Sequence, residues 1–327
     1  PLAPRPTLPV WQGATRLGYR AAMARQTFPA YADRSGFNAL LPPRAPRPRA
    51  EGDVVADHVV VGAGYTGLAA ARRLAQLRPQ ARILLLEATQ VGEGSSARNS
   101  GFASPRDMPS GTSAADRAGT AATNRFGEEG WAWLMEQVEA HRIDCALRLS
   151  GRLKGAATAL GAAQVDALQA AVEAAGLPCE RLDRAALEAR IGTSYYSCAL
   201  FTPEGYVLDP AALVRGLADA LPANVALHED TPLLSLARRD GRWELATPAA
   251  RIVARDVLLA TNAAIRHLGY LRDLLVTIHT YAALSAALAP ADVPRLGSAA
   301  TWGLLPSHRL GTTVRRVGAD RRMVRSR

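Results

Sequence analysis

An α/β fold is predicted by three features of the sequence. A short run of mostly β-branched residues over 58–61 leads into a glycine-rich turn and a helix-like segment, and a second apolar run follows. An alanine-rich stretch over residues 113–190 has the composition of helices. Residues 225–288 hold several apolar runs of the strand type, so we expect both parallel and antiparallel sheet in the chain.

The composition is that of a folded globular protein. The chain has 327 residues, of which 48% are hydrophobic and 21% are charged. This balance excludes disorder for most of the chain, and no run approaches the roughly 20 apolar residues that cross a bilayer. The net charge of +10 is concentrated at the two ends, because residues 1–50 carry +7, residues 301–327 carry +6, and the remainder carries −3. The charge therefore does not predict a nucleic-acid-binding face.

The cysteines and the N-terminus predict a cytoplasmic protein. Cys145, Cys179 and Cys198 form no C-x-x-C motif and cannot all pair with one another, which suits a reducing compartment. The first residues lack the charged and then apolar pattern of a secretory signal. The six histidines show no metal-ligand spacing, so no metal site is predicted.

Residues 1–50 are predicted to form an N-terminal arm that ends in a linker. Aromatic residues such as Trp11 and Tyr19 are scattered without a regular period. The Pro/Arg-rich stretch over 42–49 favours an extended, polyproline-like backbone.

A β-strand, α-helix, β-strand unit is predicted to start at Asp57. Residues 58–61 indicate a buried parallel strand, residues 65–78 an amphipathic helix, and residues 82–87 a second buried strand. Three such elements within about 30 residues make a right-handed βαβ unit. Further along, a helix is predicted over 161–175, and strands are predicted over 225–228, 232–239, 242–247, 251–259 and 274–288.

The turn inside this unit has the sequence Gly62-Ala63-Gly64-Tyr65-Thr66-Gly67. In such a turn the first glycine permits the bend, the second lets the backbone approach a pyrophosphate, and the third allows close helix–strand packing. The N-terminus of the helix offers N–H groups to phosphates. Glu87, 20 residues after Gly67, can accept hydrogen bonds from a ribose. The unit therefore predicts a bound dinucleotide, and both NAD and FAD fit this turn.

The segment after Glu87 favours FAD. Residues 92–102 are mostly small, which lets the chain pass close to a ligand. Polar side chains in the segment offer hydrogen-bond donors for phosphate and ring oxygens. A plain NAD domain does not need such a segment, whereas FAD extends from the first turn toward a second domain.

From Val59 to Phe102 the sequence resembles the FAD-dependent amine and amino-acid oxidase superfamily, which includes D-amino-acid, glycine and sarcosine oxidases. It looks most similar to the branch that contains gamma-glutamylputrescine oxidase. The family typically shows G-x-G-x-S-G-R-N-x-G where residues 92–101 stand, with Ala97 in place of the glycine before the arginine. The resemblance continues over residues 205–217, 231–233, 258–262, 280–282 and 309–313.

The resemblance implies a Rossmann-like FAD-binding domain, which starts with the βαβ unit and a parallel sheet, and an interleaved antiparallel-sheet substrate domain. We assign residues 51–110 and 200–265 to the first, and residues 111–199 and 266–327 to the helical insert and substrate domain. The family closes its flavin site with a C-terminal glycine-rich segment and helix. No counterpart is present up to Arg327, so we expect a truncated chain or weak FAD binding. The predicted FAD-binding residues are Gly62, Ala63, Gly64, Tyr65, Thr66, Gly67, Glu87, Ala88, Ser95, Ser96, Arg98, Asn99, Ser100, Gly101, Leu233 and Thr261.

The sequence does not identify a catalytic residue, but three residues are candidates. His279 lies in an apolar run, where a hydrogen-bonded structural histidine is the commoner outcome. Tyr281 would share its face of a strand, and the resemblance implies that it lines the pocket. Arg309, together with Arg315 and Arg316, could hold a substrate carboxylate, although arginines in so basic a tail usually face solvent.

These observations predict an FAD-dependent oxidoreductase that oxidises a C–N bond of an amine or amino acid to an imine, by hydride transfer to flavin N5. The expected electron acceptor is O2, a quinone or an electron-transfer protein. Two alternatives stay open: a flavin monooxygenase or halogenase, and a truncated, non-catalytic relative that does not retain FAD. A role of the basic ends in RNA modification would require steeply salt-dependent tRNA binding.

Overall fold

The computed structural model describes Phe28 and residues 30–326. These residues form two compact units, each assembled from separate stretches of the chain. The first unit contains Pro43–Val91 and Leu221–Thr277, and the second contains Arg34–Pro42, Gly92–Ala220 and residues 278–326.

Helices and strands alternate along most of the described chain. The strands, in chain order, are β1 (Gly52–Val61), β2 (Ile83–Leu86), β3 (Phe102–Ala103), β4 (Arg148–Leu149), β5 (Arg152–Ala156), β6 (Glu180–Asp183), β7 (Cys198–Thr202), β8 (Tyr206–Val207), β9 (Val225–His228), β10 (Ser235–Arg239), β11 (Arg242–Ala246), β12 (Ala250–Leu259), β13 (Tyr281–Leu284), β14 (Gly303–Pro306), β15 (Thr313–Val317) and β16 (Arg321–Ser326). The α-helices are α1 (Gly36–Leu40), α2 (Tyr65–Leu77), α3 (Ala114–Ala140), α4 (Ala159–Ala174), α5 (Arg184–Ile191) and α6 (Pro210–Asp219). Short 3-10 helices span Asn262–Leu268 and Val293–Leu296.

The first unit is built on a six-stranded sheet in the order β10-β11-β12-β1-β2-β9. Strands β12, β1, β2 and β9 are parallel, and β10 and β11 continue the sheet as antiparallel strands. The predicted βαβ unit is confirmed, because β1, α2 and β2 follow one another and β1 pairs with β2. The predicted α/β class with parallel-containing sheet is also confirmed.

The two strands of the βαβ unit are apolar because both faces of the sheet are covered here. Every residue of β2 is buried, and so are the last residues of β1, Val59–Val61. Helix α2 packs on one face through Leu68 and Ala71, and Leu245 and Ile252 belong to the core cluster shared with the strands. The sheet therefore holds the glycine-rich turn between two fixed elements.

The second unit contains a seven-stranded sheet in the order β13-β16-β15-β14-β5-β7-β6. All neighbouring strands are antiparallel except β14 and β5, which run parallel. A small sheet in the order β3-β8-β4 lies in the same unit. The expected antiparallel-type sheet is therefore present.

Helices cover both faces of the seven-stranded sheet. On one face α5 packs through Leu187 against a cluster that includes Trp302 and Leu304. On the other face α4 packs through Val165 against Leu200. The alternation of side chains along β5 and β7 separates these two clusters, because successive residues of a strand point to opposite faces.

Side chains fix the starts of several helices in this unit. Ser113 and Asp116 form a capping box at α3, since the Ser113 hydroxyl accepts from the Asp116 N–H and the Asp116 carboxylate accepts from the Ser113 N–H. Asp183 caps α5, and Asp209 caps α6 with Pro210 in the first turn.

Two predictions about secondary structure are wrong in part. The stretch 113–190 is not helical throughout, because β4, β5 and β6 interrupt it. The strand predicted over 274–288 is reduced to β13, and Val276 is 90% exposed. An apolar run becomes a strand only where a neighbour supplies hydrogen bonds, which β16 does for β13 alone.

The predicted N-terminal arm lies largely outside the described residues, and Trp11 and Tyr19 fall in that part. Its described portion includes helix α1, in which Phe37 is buried. The predicted domain boundaries stay a prediction. Within the described residues no helix combines the length and the apolarity needed to cross a membrane.

Candidate functional site

The glycine-rich turn of the first unit admits no side chain at its first and last glycines. Gly62 has a φ of +101°, and a Cβ there would lie 2.6 Å from the carbonyl oxygen of Ala260. A Cβ on Gly67 would lie 1.8 Å from the carbonyl oxygen of Gly62. Gly64 precedes the first helical residue, Tyr65, and no described side chain caps the helix. The turn therefore presents backbone to any ligand at the start of α2.

Glu87 follows β2 directly and reaches the turn. Its Oε2 accepts a hydrogen bond from the Ala63 N–H at 3.0 Å, and its Oε1 accepts one from the Thr89 N–H at 3.2 Å. Burial raises the pKa of Glu87 above its ordinary value, against the lowering effect of these hydrogen bonds, and the nearby Glu229 charge raises it further. The Thr89 hydroxyl also donates to Oε1, at 3.4 Å, whereas Oε2 keeps a lone pair with which it can accept a hydrogen bond from a neighbouring hydroxyl.

The loop that carries Glu87 is held by the segment that follows β9. The Glu87 N–H donates to the His228 carbonyl at 2.8 Å, and the Thr231 N–H donates to the Glu87 carbonyl at 2.9 Å. The Asp230 N–H donates to the Thr89 carbonyl at 2.7 Å. These backbone bonds fix the loop, and with it the direction of the Glu87 side chain.

A buried ion pair anchors the end of this loop. Glu229 has no exposed surface, and its carboxylate accepts from both terminal nitrogens of Arg44, from the Arg47 N–H at 2.7 Å and from the Val91 N–H at 2.7 Å. Burial alone would raise the pKa of Glu229, but these donors outweigh it and hold that pKa below its ordinary value. Sequence reasoning treated residues 42–49 as a linker and missed this contact, because the two side chains are 185 residues apart.

Three other predicted FAD-binding residues lie in the first unit. The Thr261 hydroxyl, after β12, is buried and has no hydrogen-bond partner among the described residues. Leu233 is buried in the core cluster of the sheet, so its side chain packs inward. Ala88 is half-buried beside Glu87.

The remaining predicted FAD-binding residues, over 92–101, lie in the second unit and form a tightly bonded segment. The Arg98 Nε donates to the Glu93 carbonyl at 2.7 Å, and the Asn99 side-chain amide donates to the Ser96 carbonyl at 2.7 Å. The Gly101 N–H donates to the Asn99 Oδ1 at 2.8 Å. Arg98 and Asn99 thus hold the shape of the segment.

The three serines of this segment differ in their exposure. Ser95 is exposed and Ser96 is half-buried. Ser100 is buried, and its Oγ has no hydrogen-bond partner in the described part of the chain. A buried hydroxyl without a hydrogen bond costs free energy of folding. The Ser100 hydroxyl is therefore available to bond with a ligand.

Residues of the N-terminal stretch also hold the segment. The Ser35 N–H donates to the Glu93 Oε2 at 2.8 Å, and the Ser35 hydroxyl donates to the Ala97 carbonyl at 3.0 Å. Gly92 has a φ of +98°, and a Cβ there would lie 2.9 Å from the Asn38 Oδ1. Residues 34–42 are therefore part of the support of this segment.

Arg315 locks the end of the segment. Its Nη1 donates to the carbonyls of Ser100 at 2.7 Å, Leu208 at 2.8 Å and Gly101 at 3.3 Å. Burial lowers the pKa of Arg315 to about 10, against the opposing effect of the Asp209 charge. Arg315 therefore holds three backbone carbonyls in place, and its Nη1 is not free to bind a substrate carboxylate.

The three catalytic candidates are exposed. His279 lies outside any helix or strand, and Arg309 lies in the turn between β14 and β15. Tyr281 begins the edge strand β13 and is 77% exposed. Among the described residues no group of three or more His, Cys, Asp or Glu side chains could hold a metal ion.

The residues of the first unit fit FAD. The backbone packs too closely at Gly62 and Gly67 for any side chain, the start of α2 offers backbone N–H groups to a diphosphate, and Glu87 can accept from a ribose hydroxyl. The unbonded Thr261 hydroxyl can also donate a hydrogen bond to a ligand.

Comparison with known proteins agrees with this fit. The probable oxidoreductase OrdL of Rhizobium meliloti (strain 1021) is 28% identical over 240 residues, which are 72% of this chain and 55% of that protein. The gamma-glutamylputrescine oxidoreductase of Escherichia coli (strain K12) is 26% identical over 219 residues, which are 64% of this chain and 50% of that protein. The chain thus spans about half the length of the curated relatives it matches.

The fold is shared with solved oxidases. The crystal structure of glycine oxidase from Geobacillus kaustophilus matches with a TM-score of 0.63 and 20% identity, over 83% of this chain and 70% of that one. The family described as FAD dependent oxidoreductase (DAO) matches residues 57–324. The glycine-rich turn and Glu87 both lie within this range, and the chain belongs to the DAO family of FAD-dependent oxidoreductases.

Proposed function

We propose that the protein oxidises a C–N bond of an amine or amino acid to an imine, which water then hydrolyses. When bound, FAD supplies at flavin N5 the acceptor for the hydride that leaves the carbon next to nitrogen, while the nitrogen releases a proton and the C=N bond forms. The residues of the chain bind the cofactor and position the substrate.

The observation that carries the proposal is the 3.0 Å hydrogen bond between the Ala63 N–H and the Glu87 Oε2. It joins the glycine-rich turn to a carboxylate at the carboxyl end of the parallel strand β2, and an adenosine diphosphate group binds to an arrangement of this kind. We assign the diphosphate to the backbone of Gly62–Gly67 and the ribose hydroxyls to Glu87. The Thr261 hydroxyl is a further donor to the cofactor.

The substrate class rests on the relatives. One is named for the oxidation of gamma-glutamylputrescine and another for the oxidation of glycine, and both names describe compounds with a nitrogen-bearing carbon. Hydride transfer from a neutral amine does not require an acid–base residue of the protein. The three exposed candidates, His279, Tyr281 and Arg309, are therefore not assigned a role.

The proposal also includes the electron acceptor and a cytoplasmic location for the protein. O2, a quinone or an electron-transfer protein would reoxidise the cofactor. All three cysteines are unpaired, which fits the reducing conditions of the cytoplasm.

The test uses the absorbance of the flavin. We expect the purified protein, supplied with FAD, to show oxidised-flavin bands near about 375 and 450 nm. Under anaerobic conditions, polyamines, gamma-glutamylated amines and amino acids are added one at a time, and at least one should bleach the 450 nm band. Bleaching by NADPH without any amine would favour a monooxygenase, and no bleaching by any amine would refute C–N oxidation.

A pair of variants tests the assigned role of Glu87. Glu87→Gln removes the charge that accepts from the ribose, so the Kd for FAD should rise by about tenfold to a hundredfold. Glu244→Gln removes a carboxylate from the exposed pair with Arg251 in the same sheet, and its Kd should stay within about twofold of the unsubstituted protein. Equal effects of the two changes would contradict the assignment.

A further inference from the structure

The single lysine of the chain lies on an interior strand of the seven-stranded sheet. Lys154 lies in the middle of β5, opposite Leu200 of β7 and Leu305 of β14. The side chain is half-buried, and these two leucines share its face of the sheet. In a chain with 38 arginines, this position alone holds a lysine.

The Lys154 ammonium has no hydrogen bond or ion pair with any residue that the structure describes. Burial lowers the pKa of Lys154, and the charge of Arg152 on the same face lowers it further. A partly desolvated cation without an anion costs free energy unless something pairs with it. The Lys154 ammonium is therefore placed to pair with an anion that the described residues do not supply.

Further polar groups lie on the same face, beyond Leu305. The register places Thr313 of β15 and Arg325 of β16 in the row that contains Lys154 and Leu305. The Arg325 Nη2 donates to the Thr313 Oγ1 at 3.3 Å. With strands spaced as in any sheet, the Cα atoms of Lys154 and Arg325 are roughly 14 Å apart, so two long side chains can approach one ligand between them.

The proposed FAD-binding segment packs against this same face. The Arg315 Nη1 donates to the Ser100 carbonyl, and a Cβ on Gly303 would lie 2.3 Å from the ring of Phe102. Gly303 and Arg315 are cross-strand partners, and Gly303 lies two residues before Leu305 on the face that carries Lys154. The lysine therefore occupies the side of the sheet on which residues 100–102 lie.

We propose that Lys154 binds a carboxylate of the substrate, with Thr313 and Arg325 reaching the same ligand from beyond Leu305. The inference rests on the proposed function and narrows it, because the substrate is then an amine that also carries a carboxylate. Amino acids and gamma-glutamylated amines meet this condition, whereas polyamines do not. Lys154 is a specificity-determining residue that binds a distant group, and it takes no part in bond breaking.

The first test observes Lys154 directly. Reductive methylation with 13C-formaldehyde labels the one lysine and the terminal amine, keeps the lysine charge, and gives a side-chain NMR signal that is assigned by its loss in Lys154→Met. We expect this signal to move, and its titration midpoint to rise, on addition of butyrate. Butyramide and chloride at the same ionic strength should have no effect. The site is refuted if the signal titrates like a free lysine and ignores butyrate.

The second test uses matched substrates. For amino acids that bleach the flavin, Lys154→Met should raise KM at least tenfold with kcat within about twofold, and Lys154→Arg should restore most of the loss. The amides of the same amino acids should show no such change. Arg251→Gln, which opens an exposed pair with Glu244 in the six-stranded sheet of the other unit, is the control.

The two tests fail in different ways. If no amine bleaches the flavin, the proposed function fails, but the NMR signal of Lys154 still decides whether a carboxylate binds there. If amino acids and their amides lose the same factor in Lys154→Met, or if Lys154→Arg does not restore binding, the carboxylate site is refuted while amine oxidation stands.

Discussion

Replacing Arg44 with methionine would remove a cation from a carboxylate that has no access to water. Both terminal nitrogens of Arg44 contact Glu229, and one of them donates to Oε2 at 2.8 Å. The Arg44 side chain is 22% exposed, whereas the Glu229 side chain has no exposed surface. The substitution therefore leaves a buried negative charge without its counter-ion.

The expected loss of stability follows from this burial. Removing one partner of a buried ion pair costs about 3–5 kcal/mol of unfolding free energy. Glu229 keeps the N–H donors of Arg47 and Val91 in the variant, so we expect the low end, about 3 kcal/mol. With Glu229→Gln already present the buried charge is absent, and Arg44→Met should then cost less than about 1.5 kcal/mol.

The effect should depend on pH. In the unsubstituted protein the pKa of Glu229 is lowered, so its stabilisation is present above the unfolded pKa and is lost as pH falls through the folded pKa. In Arg44→Met burial dominates and raises that pKa above the unfolded value. The penalty is then full at pH 8 and shrinks as pH falls toward the unfolded pKa of about 4.3.

Urea unfolding followed by circular dichroism at pH 8 and pH 5 measures both effects. Arg251→Gln, which opens an exposed pair with Glu244 in the same unit, should change the unfolding free energy by no more than about 0.5 kcal/mol. A loss below 1 kcal/mol in Arg44→Met, or an equal loss at both pH values, would refute the reasoning.

Three further predictions concern packing and backbone support. Gly67→Ala forces a Cβ to within 1.8 Å of a backbone oxygen and should weaken FAD binding more than tenfold by fluorescence titration, whereas Gly119→Ala, in open space on α3, should leave it unchanged. Arg315→Met removes the donor to three backbone carbonyls and should lower Tm and loosen FAD binding, and an unchanged Kd would argue against support of the 92–101 segment. Tyr196→Phe deletes a hydrogen bond of 2.7 Å to a backbone carbonyl and should cost about 1 kcal/mol in urea unfolding, with FAD affinity unaffected.

Local patterns predicted the nucleotide-binding part of the fold well. The strand before Gly62, the helix from Tyr65 and the strand before Glu87 are each specified by a short run of residues. Their signals, which are an apolar run, a glycine spacing and a 3.6-residue period, need no distant partner. The family resemblance added the prediction that the dinucleotide is FAD. The family match over residues 57–324 confirms that the chain is an FAD-dependent oxidoreductase.

Predictions that depended on distant partners fared less well. The apolar run at 274–280 has the composition of a strand, but no described strand pairs with it. Arg315 was considered for substrate binding, yet the fold directs its Nη1 to backbone carbonyls up to 215 residues away. The roles of His279, Tyr281 and Arg309 stay predictions.

The amino-acid sequence by itself therefore determined the βαβ unit, its glycine-rich turn and the position of Glu87 at a strand end, because these depend on residues close together in the chain. Only the tertiary structure decided which charges are buried and what they meet. Glu229 is paired with an arginine of the supposed linker, and Lys154 is left without an anion on a sheet face, because burial and pairing are set by segments that are far apart in the sequence.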